Sequence, residues 1–456
     1  MRQGRPQDHR PARRRWPAAI ATAVSLLCPA VAHASPWSPH PLHVEIQRIF
    51  LIAVVALIVI YLLRHYVFTI NRLFGRQRHP YLDVDAADWP HVTVCVPAHD
   101  EEAVLPRILE ALLLVDYPRD RFHVLVIDDR STDRTGELLD VYAERHPRRI
   151  TAFHRREGPA GKAAALNDAM ELVDTDIVLV FDADYLPGRG LIKQLVAPFF
   201  DPEVGAVMGR VVPLNAGRNL LTRMLDLERA GGYQVDQQAR MNLGLVPQYG
   251  GTVGGVRRSA LEAVGGWNVK SLAEDTDATF RLLLGGWKTV YQNRSECYEE
   301  VPETWPQRIG QVIRWARGHN QAMFRYTGPL LRSRRIGWRS KLDGVLLLGV
   351  YVLSPLLVLA WAAALSLWHL GVNESGVVIV LAVASYATLG NFATFFEVAA
   401  ATHLDRTRRR ARLLPLLATG FLVTALSVTG GAFVQLAALS PHRKNFWHKT
   451  ARNGDS

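Results

Sequence analysis

Long apolar runs constrain this chain before anything else does. Ile49–Phe68, Gly344–Trp368, Gly376–Phe396 and Leu413–Ser440 are each long enough to cross a bilayer as a helix, which takes about 20 residues. The last three carry no charge, and the first holds Arg64 and His65 near its end, where such side chains snorkel. These runs lift the hydrophobic share to 49%. The net charge of +11 is concentrated beside them, at Arg72, Arg76 and Arg78 and in the loop Arg406–Arg412. Basic loops of that kind mark the cytoplasmic side of a span, so the charge reads as membrane anchoring and not as a nucleic-acid surface. The basic tail His442–Arg452 then conflicts with a simple last crossing, and a bend at Gly430-Gly431 resolves the conflict.

Residues 1–35 combine Arg13-Arg14-Arg15, an apolar stretch from Trp16 and the small-x-small triplet Ala32-His33-Ala34. Either a signal peptide or a first membrane segment fits that layout. Residues 36–88 hold the first clear span and a linker, 303–343 an interfacial section, 344–440 the remaining spans and 441–456 the basic tail. The interfacial section is marked by aromatic residues mixed with arginine, among them Trp305, Arg308, Trp315, Phe324 and Trp338. Three cysteines, Cys28, Cys95 and Cys297, have no ligand-like spacing, so neither a disulfide framework nor a zinc site is implied.

Residues 89–302 differ in kind. Apolar strands at Val92–Val96, Val124–Ile127, Ile150–Phe153 and Val178–Phe181 alternate with helices at Glu101–Val115, Thr132–Arg145 and Lys162–Val173. Strands apolar on both faces, alternating with helices, predict a parallel sheet covered on both sides. In such sheets ligands bind beyond the carboxyl ends of the strands.

Acidic residues gather at those ends. Asp182-Ala183-Asp184 follows one strand and supplies hard oxygens of the kind that hold Mg²⁺ or Mn²⁺ together with substrate phosphates. Pro97-Ala98-His99-Asp100-Glu101-Glu102 follows another, and Asp128-Asp129-Arg130-Ser131-Thr132-Asp133 a third. Carboxylates there accept from a base N–H or a ribose hydroxyl, and Asp133 is accounted for by helix capping. Gly158–Lys162 lacks the spacing of a phosphate loop, although Lys162 at a helix start suits a diphosphate. Glu274 and Asp275 open a helix running to Leu284, where Asp277 complements the helix dipole. Gln311, Arg314 and Trp315 share one helix face, offering a guanidinium for phosphate and an indole for a sugar ring. Gly250–Gly255 offers close backbone approach to an acceptor, or a plain turn.

Taken together, the Asp-Asp-x-Ser-x-Asp loop, the Asp-x-Asp, the Glu-Asp pair and Gln-x-x-Arg-Trp, in that order between membrane spans, resemble the family 2 membrane glycosyltransferases. Cellulose, chitin, hyaluronan and poly-N-acetylglucosamine synthases are of that type. The resemblance covers residues 90–325 and departs from the usual pattern at Asp100, where asparagine is frequent. It implies a GT-A-like, Rossmann-related nucleotide-sugar domain with a mostly parallel central sheet, embedded in an α-helical transmembrane framework. It also implies roles. Pro97, Glu101, Asp128, Asp129, Lys162 and Asp182 would bind the donor, with Asp128 and Asp129 facing the uridine. Asp184 would hold Mg²⁺ or Mn²⁺, and Asp275 would be the general base. Glu274, Gln311, Arg314 and Trp315 would hold the diphosphate and the acceptor.

The expected reaction is inverting transfer from a UDP-sugar, UDP-N-acetylglucosamine or UDP-glucose, onto a growing glycan, processively and with export through an accessory subunit. The expected location is the inner membrane, multi-pass, with the catalytic domain on the cytoplasmic face. The alternative, shared with ceramide glucosyltransferase-like proteins, is single addition to a membrane lipid. A non-catalytic scaffold of an export complex is the reading from another class.

Overall fold

A computed structural model describes residues 41–79, 81, 88–388 and 395–437. The segment 1–35 and the tail 441–456 lie outside the described residues.

Eight strands form one sheet: β1 Val92–Ala98, β2 Phe122–Asp129, β3 Ile150–Arg155, β4 Ile177–Val180, β5 Leu186–Pro187, β6 Val204–Pro213, β7 Gly254–Arg257 and β8 Lys288–Glu299. Their spatial order is β3-β2-β1-β4-β7-β6-β8-β5. The half from β3 to β4 is wholly parallel, as the sequence predicts. The other half is mixed: β7 runs antiparallel to both β4 and β6, while β6 and β8 pair in parallel. Gly254 and Gly255 make up the start of β7, and a Cβ on either would strike the neighbouring strands. Those two glycines therefore serve strand packing and not an acceptor.

Period-two alternation divides the sheet into two cores. Val92, Val94 and Val96 of β1 face one core with Leu105, Ile108, Leu109 and Leu112 of helix Leu105–Leu113. Cys95 faces the other, with Ala165, Leu166 and Ala169 of helix Lys162–Ala169. Each fully buried aliphatic side chain contributes about 1.5–3 kcal/mol, so both faces secure the strand ends in place.

Two helices begin later than the sequence suggests. The first starts at Leu105 instead of Glu101, and the second, Thr135–Arg145, starts three residues after Thr132. The missing turns are spent on contacts between loops, described below. The third, expected to reach Val173, stops at Ala169 and tightens into a 3₁₀ turn over Met170–Leu172.

Among the described residues, three helices are long and apolar enough to cross a membrane: Leu42–Phe74, Val350–His369 and Arg409–Phe433. The expected span Gly376–Phe396 is described only in part, as helix Ser375–Thr388 and the first residues of Phe395–Leu404, and residues 389–394 lie outside the described residues. The expected bend at Gly430-Gly431 is corrected, because Leu414–Ala437 continues as helix through both residues. There the small side supports close packing: a Cβ on Gly431 would lie 3.1 Å from Ile313 Cγ2. The helix so approached, Trp305–Arg332, carries Gln-x-x-Arg-Trp, starts in a capping box at Thr304 and exposes Phe324.

Candidate active site

The loops after β1 and β2 are laced to each other. Asp100 Oδ1 accepts from the Thr132 backbone N–H at 2.6 Å and from the Asp133 N–H at 3.4 Å. In return the Glu101 N–H donates to Thr135 Oγ1 and the Glu102 N–H to Asp133 Oδ2. Asp100 and Arg130 both take positive φ, which is where such tight turns form. These bonds explain the late helix starts and give Asp133 a partner across the loops.

The two carboxylates ending β2 part company, as successive residues of a strand must. Asp128 is fully buried and does not line the cavity; it accepts from the Ser131 N–H and pairs with His154 Nδ1 at 3.0 Å. Burial alone would raise its pKa, but bonds from Ser131 and His154 outweigh that and hold the carboxyl below its ordinary range. Its expected place facing the uridine is therefore corrected: Asp128 shapes the loop from beneath. Asp129 does line the cavity. Its Oδ1 accepts from Arg155 at 2.7 Å and its Oδ2 from the Gly161 N–H at 3.1 Å. Arg155 in turn reaches Asp168 at 2.5 Å.

Beyond β4, which ends at Val180, the chain turns at Ala183-Asp184. Asp182 is anchored by its N–H donating to Thr252 Oγ1, and its Oδ1 accepts from Lys162 Nζ at 2.5 Å. Asp184 is almost wholly buried in the cavity wall. Asp182 is engaged by an ammonium, and Asp184 offers hard carboxylate oxygens at the cavity; one carboxylate plus substrate phosphates would be an adequate donor set for Mg²⁺ or Mn²⁺.

Glu274 and Asp275 open helix Glu274–Gly285, and their backbone faces a glycine turn. Gly251 has φ +71°, and a Cβ there would sit 3.0 Å from Asp275 Cβ, so the turn gives the acid its room. Burial pushes the Asp275 carboxyl up, against the Thr276 N–H, Lys162 and Arg314, and Glu274 is pushed up with it. Lys162 moves oppositely to what burial demands: Asp182 and Glu274 hold its ammonium above the ordinary lysine range. Nearby His319 is pushed down to about 4 by burial and is a neutral imidazole, 3.4 Å from Thr276 Oγ1. Asp277 departs from its expected dipole role. Fully buried, it accepts from Asn268, Tyr326, Arg281 and Arg325, clamping its helix to Trp305–Arg332.

Arg314 and Trp315 complete the wall with Gln311. Trp315 is flanked by the guanidiniums of Arg229 and Arg308, 5.2 and 5.4 Å from its ring. Arg308 donates to Gln311 Oε1 at 2.9 Å, and Arg229 pairs with Glu299 at 2.8 Å. Thus Pro97, Glu101, Asp129, Lys162, Asp182 and Asp184 meet Glu274, Asp275, Gln311, Arg314 and Trp315 around one cavity of about 920 Å³. The sequence reading missed Arg155, Arg229 and Glu299, which carry no motif, and took Thr252 only as part of Gly250–Gly255; each acts through a partner distant in the chain.

The cavity does not stop at the sheet. It continues past a π-helical segment, Gly231–Gln237, to Tyr61 and Arg64 on helix Leu42–Phe74 and to Leu346, Leu347 and Val350. Insertions of that helical type recur at functional sites.

Known proteins fit this geometry. The chain is 31% identical over 274 residues to the probable glycosyltransferase YdaM of Bacillus subtilis, covering 60% of this chain and 64% of that protein. It is 36% identical over 266 residues to the beta-monoglucosyldiacylglycerol synthase of Synechocystis sp., covering 58% and 55%. The matches thus span less than two thirds of either relative. Among solved structures, the mannosyltransferase PcManGT from Pyrobaculum calidifontis, in complex with GDP-Man and Mn²⁺, is similar in fold, with a TM-score of 0.55 at 23% identity, covering 84% of this chain and 98% of that one. The fold is GT-A-like. Residues 90–318 match the family described as glycosyltransferase like family 2, and with half the chain inside that match the protein belongs to this glycosyltransferase family.

Proposed function

We propose that the chain moves one sugar from a UDP-sugar to a hydroxyl of a membrane lipid, with inversion at the anomeric carbon, on the cytoplasmic side of a membrane it crosses several times. One observation carries this reading: a single cavity joins the acidic donor end to side chains of a membrane-length helix. The name of the Synechocystis relative, a lipid glycosyltransferase, supports it.

In this mechanism Asp129, with Pro97 and Glu101 beside it, receives the nucleoside. Lys162 and Arg314 face the diphosphate. Asp184 would hold Mg²⁺ or Mn²⁺, which when bound supplies positive charge to the leaving diphosphate. Asp275 takes the proton from the acceptor hydroxyl. The acceptor oxygen then bonds to the anomeric carbon as the bond to the diphosphate oxygen breaks, and UDP leaves with that electron pair. The raised carboxyl of Asp275 suits it to hold that proton. A single displacement converts an α-linked donor into a β-linked product.

Processive synthesis of a polysaccharide is the second reading, favoured by the Gln311, Arg314 and Trp315 set on the cavity wall. Membranes containing the protein, supplied with radiolabelled UDP-glucose or UDP-N-acetylglucosamine, decide between them. Label extracted into organic solvent as a monoglycosylated lipid is the expected result; label in high-mass polymer would overturn it.

A further inference from the structure

At its membrane end the cavity meets a closed ring of four charged side chains that sugar transfer itself does not use. Arg64 lies 3.2 Å from Asp236 and donates to Asp343 at 2.8 Å. Arg240 donates to the same two carboxylates, at 2.6 and 2.8 Å. Two guanidiniums and two carboxylates thus alternate, and the ring is neutral as a unit. Arg64, Asp236 and Arg240 line the cavity, and Asp236 is the most exposed of the four side chains, at 14%. Arg64 Nη2 has no acceptor among the described residues. Leu346, Leu347 and Val350 stand beside the ring as apolar wall. Arg64 precedes the basic residue Arg72 on the same helix by two turns, about 12 Å.

We infer that this ring is the headgroup subsite for the acceptor and that it selects an uncharged, hydroxyl-bearing lipid over a lipid phosphate. The inference rests on the lipid-transfer reading above. The charge arithmetic carries it. A phosphate needs positive charge that is not already spent, yet each guanidinium here is bonded to two carboxylates. A phosphate dianion beside Asp236 and Asp343 would meet like charge in a confined space. A hydroxyl meets no such penalty: it donates to a carboxylate lone pair of Asp236 and accepts from a guanidinium N–H. A cation is disfavoured by the same arithmetic. His65, Asp236 and Glu397 approach ligand spacing, but the two guanidiniums already hold Asp236.

The test uses the full chain in nanodiscs with labelled UDP-glucose and two acceptors, dioleoylglycerol and a polyprenyl phosphate. Transfer to dioleoylglycerol, with the phosphate at least about tenfold poorer in kcat/KM, is the expected result. Equal or better transfer to the phosphate overturns the inference while leaving lipid transfer intact. Polymer as the sole product removes the lipid reading itself, and the inference with it. Asp236→Asn adds a second measurement. Its acceptor KM is expected to rise roughly tenfold or more, the scale of a lost hydrogen bond to a charged group, while the donor KM holds. A ring that only braces helices would leave the acceptor KM in place once the variant folds, and that result would overturn the subsite. The acceptor panel needs no variant, so misfolding of Asp236→Asn does not leave the question open.

Discussion

Lys162 Nζ donates to Asp182 Oδ1 at 2.5 Å and stands 4.0 Å from Glu274 Oε1, joining the donor side of the cavity to the acid pair at its acceptor side. An ammonium in that position balances both carboxylates, and in the proposed mechanism a diphosphate competes for it. Lys162→Gln is expected to raise the UDP-sugar KM about tenfold or more, since a charge-assisted hydrogen bond contributes about 1.5–3 kcal/mol. Initial-rate kinetics at saturating acceptor check this, and an unchanged donor KM would count against the diphosphate role.

Because Lys162 engages Asp182, the two carboxylates of the Asp-Ala-Asp turn should separate in a metal titration. Asp184→Asn is expected to abolish stimulation by added Mn²⁺ or Mg²⁺. Asp182→Asn is expected to retain that stimulation with a weakened donor KM. Activity measured across a metal series after chelation distinguishes them, and reversal of the pattern would exchange their roles.

In the proposed mechanism Asp275 takes the acceptor's proton, and that step sets the acid limb of the rate profile. The group works deprotonated, and burial raises its carboxyl above the usual aspartate range, so the rate should fall as pH drops through a value higher than that of an ordinary aspartate. Asp275→Asn is expected to lower kcat by about 10²–10⁴-fold and to remove this limb. A pH–rate series on both proteins provides the check.

Asp277 should matter for stability and not for chemistry. It is buried with Arg281, Tyr326, Asn268 and Arg325 around it, so removing its charge strands those donors. Asp277→Leu is expected to destabilise the protein by about 3–5 kcal/mol, the usual cost of breaking a buried pair from one side. Thermal or denaturant unfolding in detergent measures it.

Much of this was legible in the residues. Strands β1, β2 and β4 declared themselves because each is apolar on both faces, as a parallel sheet with two covers needs, while β3 showed only as the short run Ile150–Phe153. Strands β6 and β8 did not, because β6 mixes glycine and arginine and β8 is largely polar, pairing through register shifts that no local pattern encodes. Most motif residues converge on the cavity as expected. Asp128 does not, although alternation along β2 already required it and Asp129 to face opposite ways. The ring of Arg64, Asp236, Arg240 and Asp343 was invisible, since its members are drawn from three distant stretches of chain. Only the fold brings them together.

Gly431 has a consequence beyond helix packing. It lets a membrane-length helix lean directly on Ile313, one turn or less from Gln311, Arg314 and Trp315. Helices answer a change in hydrocarbon thickness by tilting. With this helix crossing a bilayer, a tilt would press on the cavity wall beside Gln311, Arg314 and Trp315, and under the lipid-transfer proposal above turnover would then follow the acyl-chain length of the surrounding bilayer.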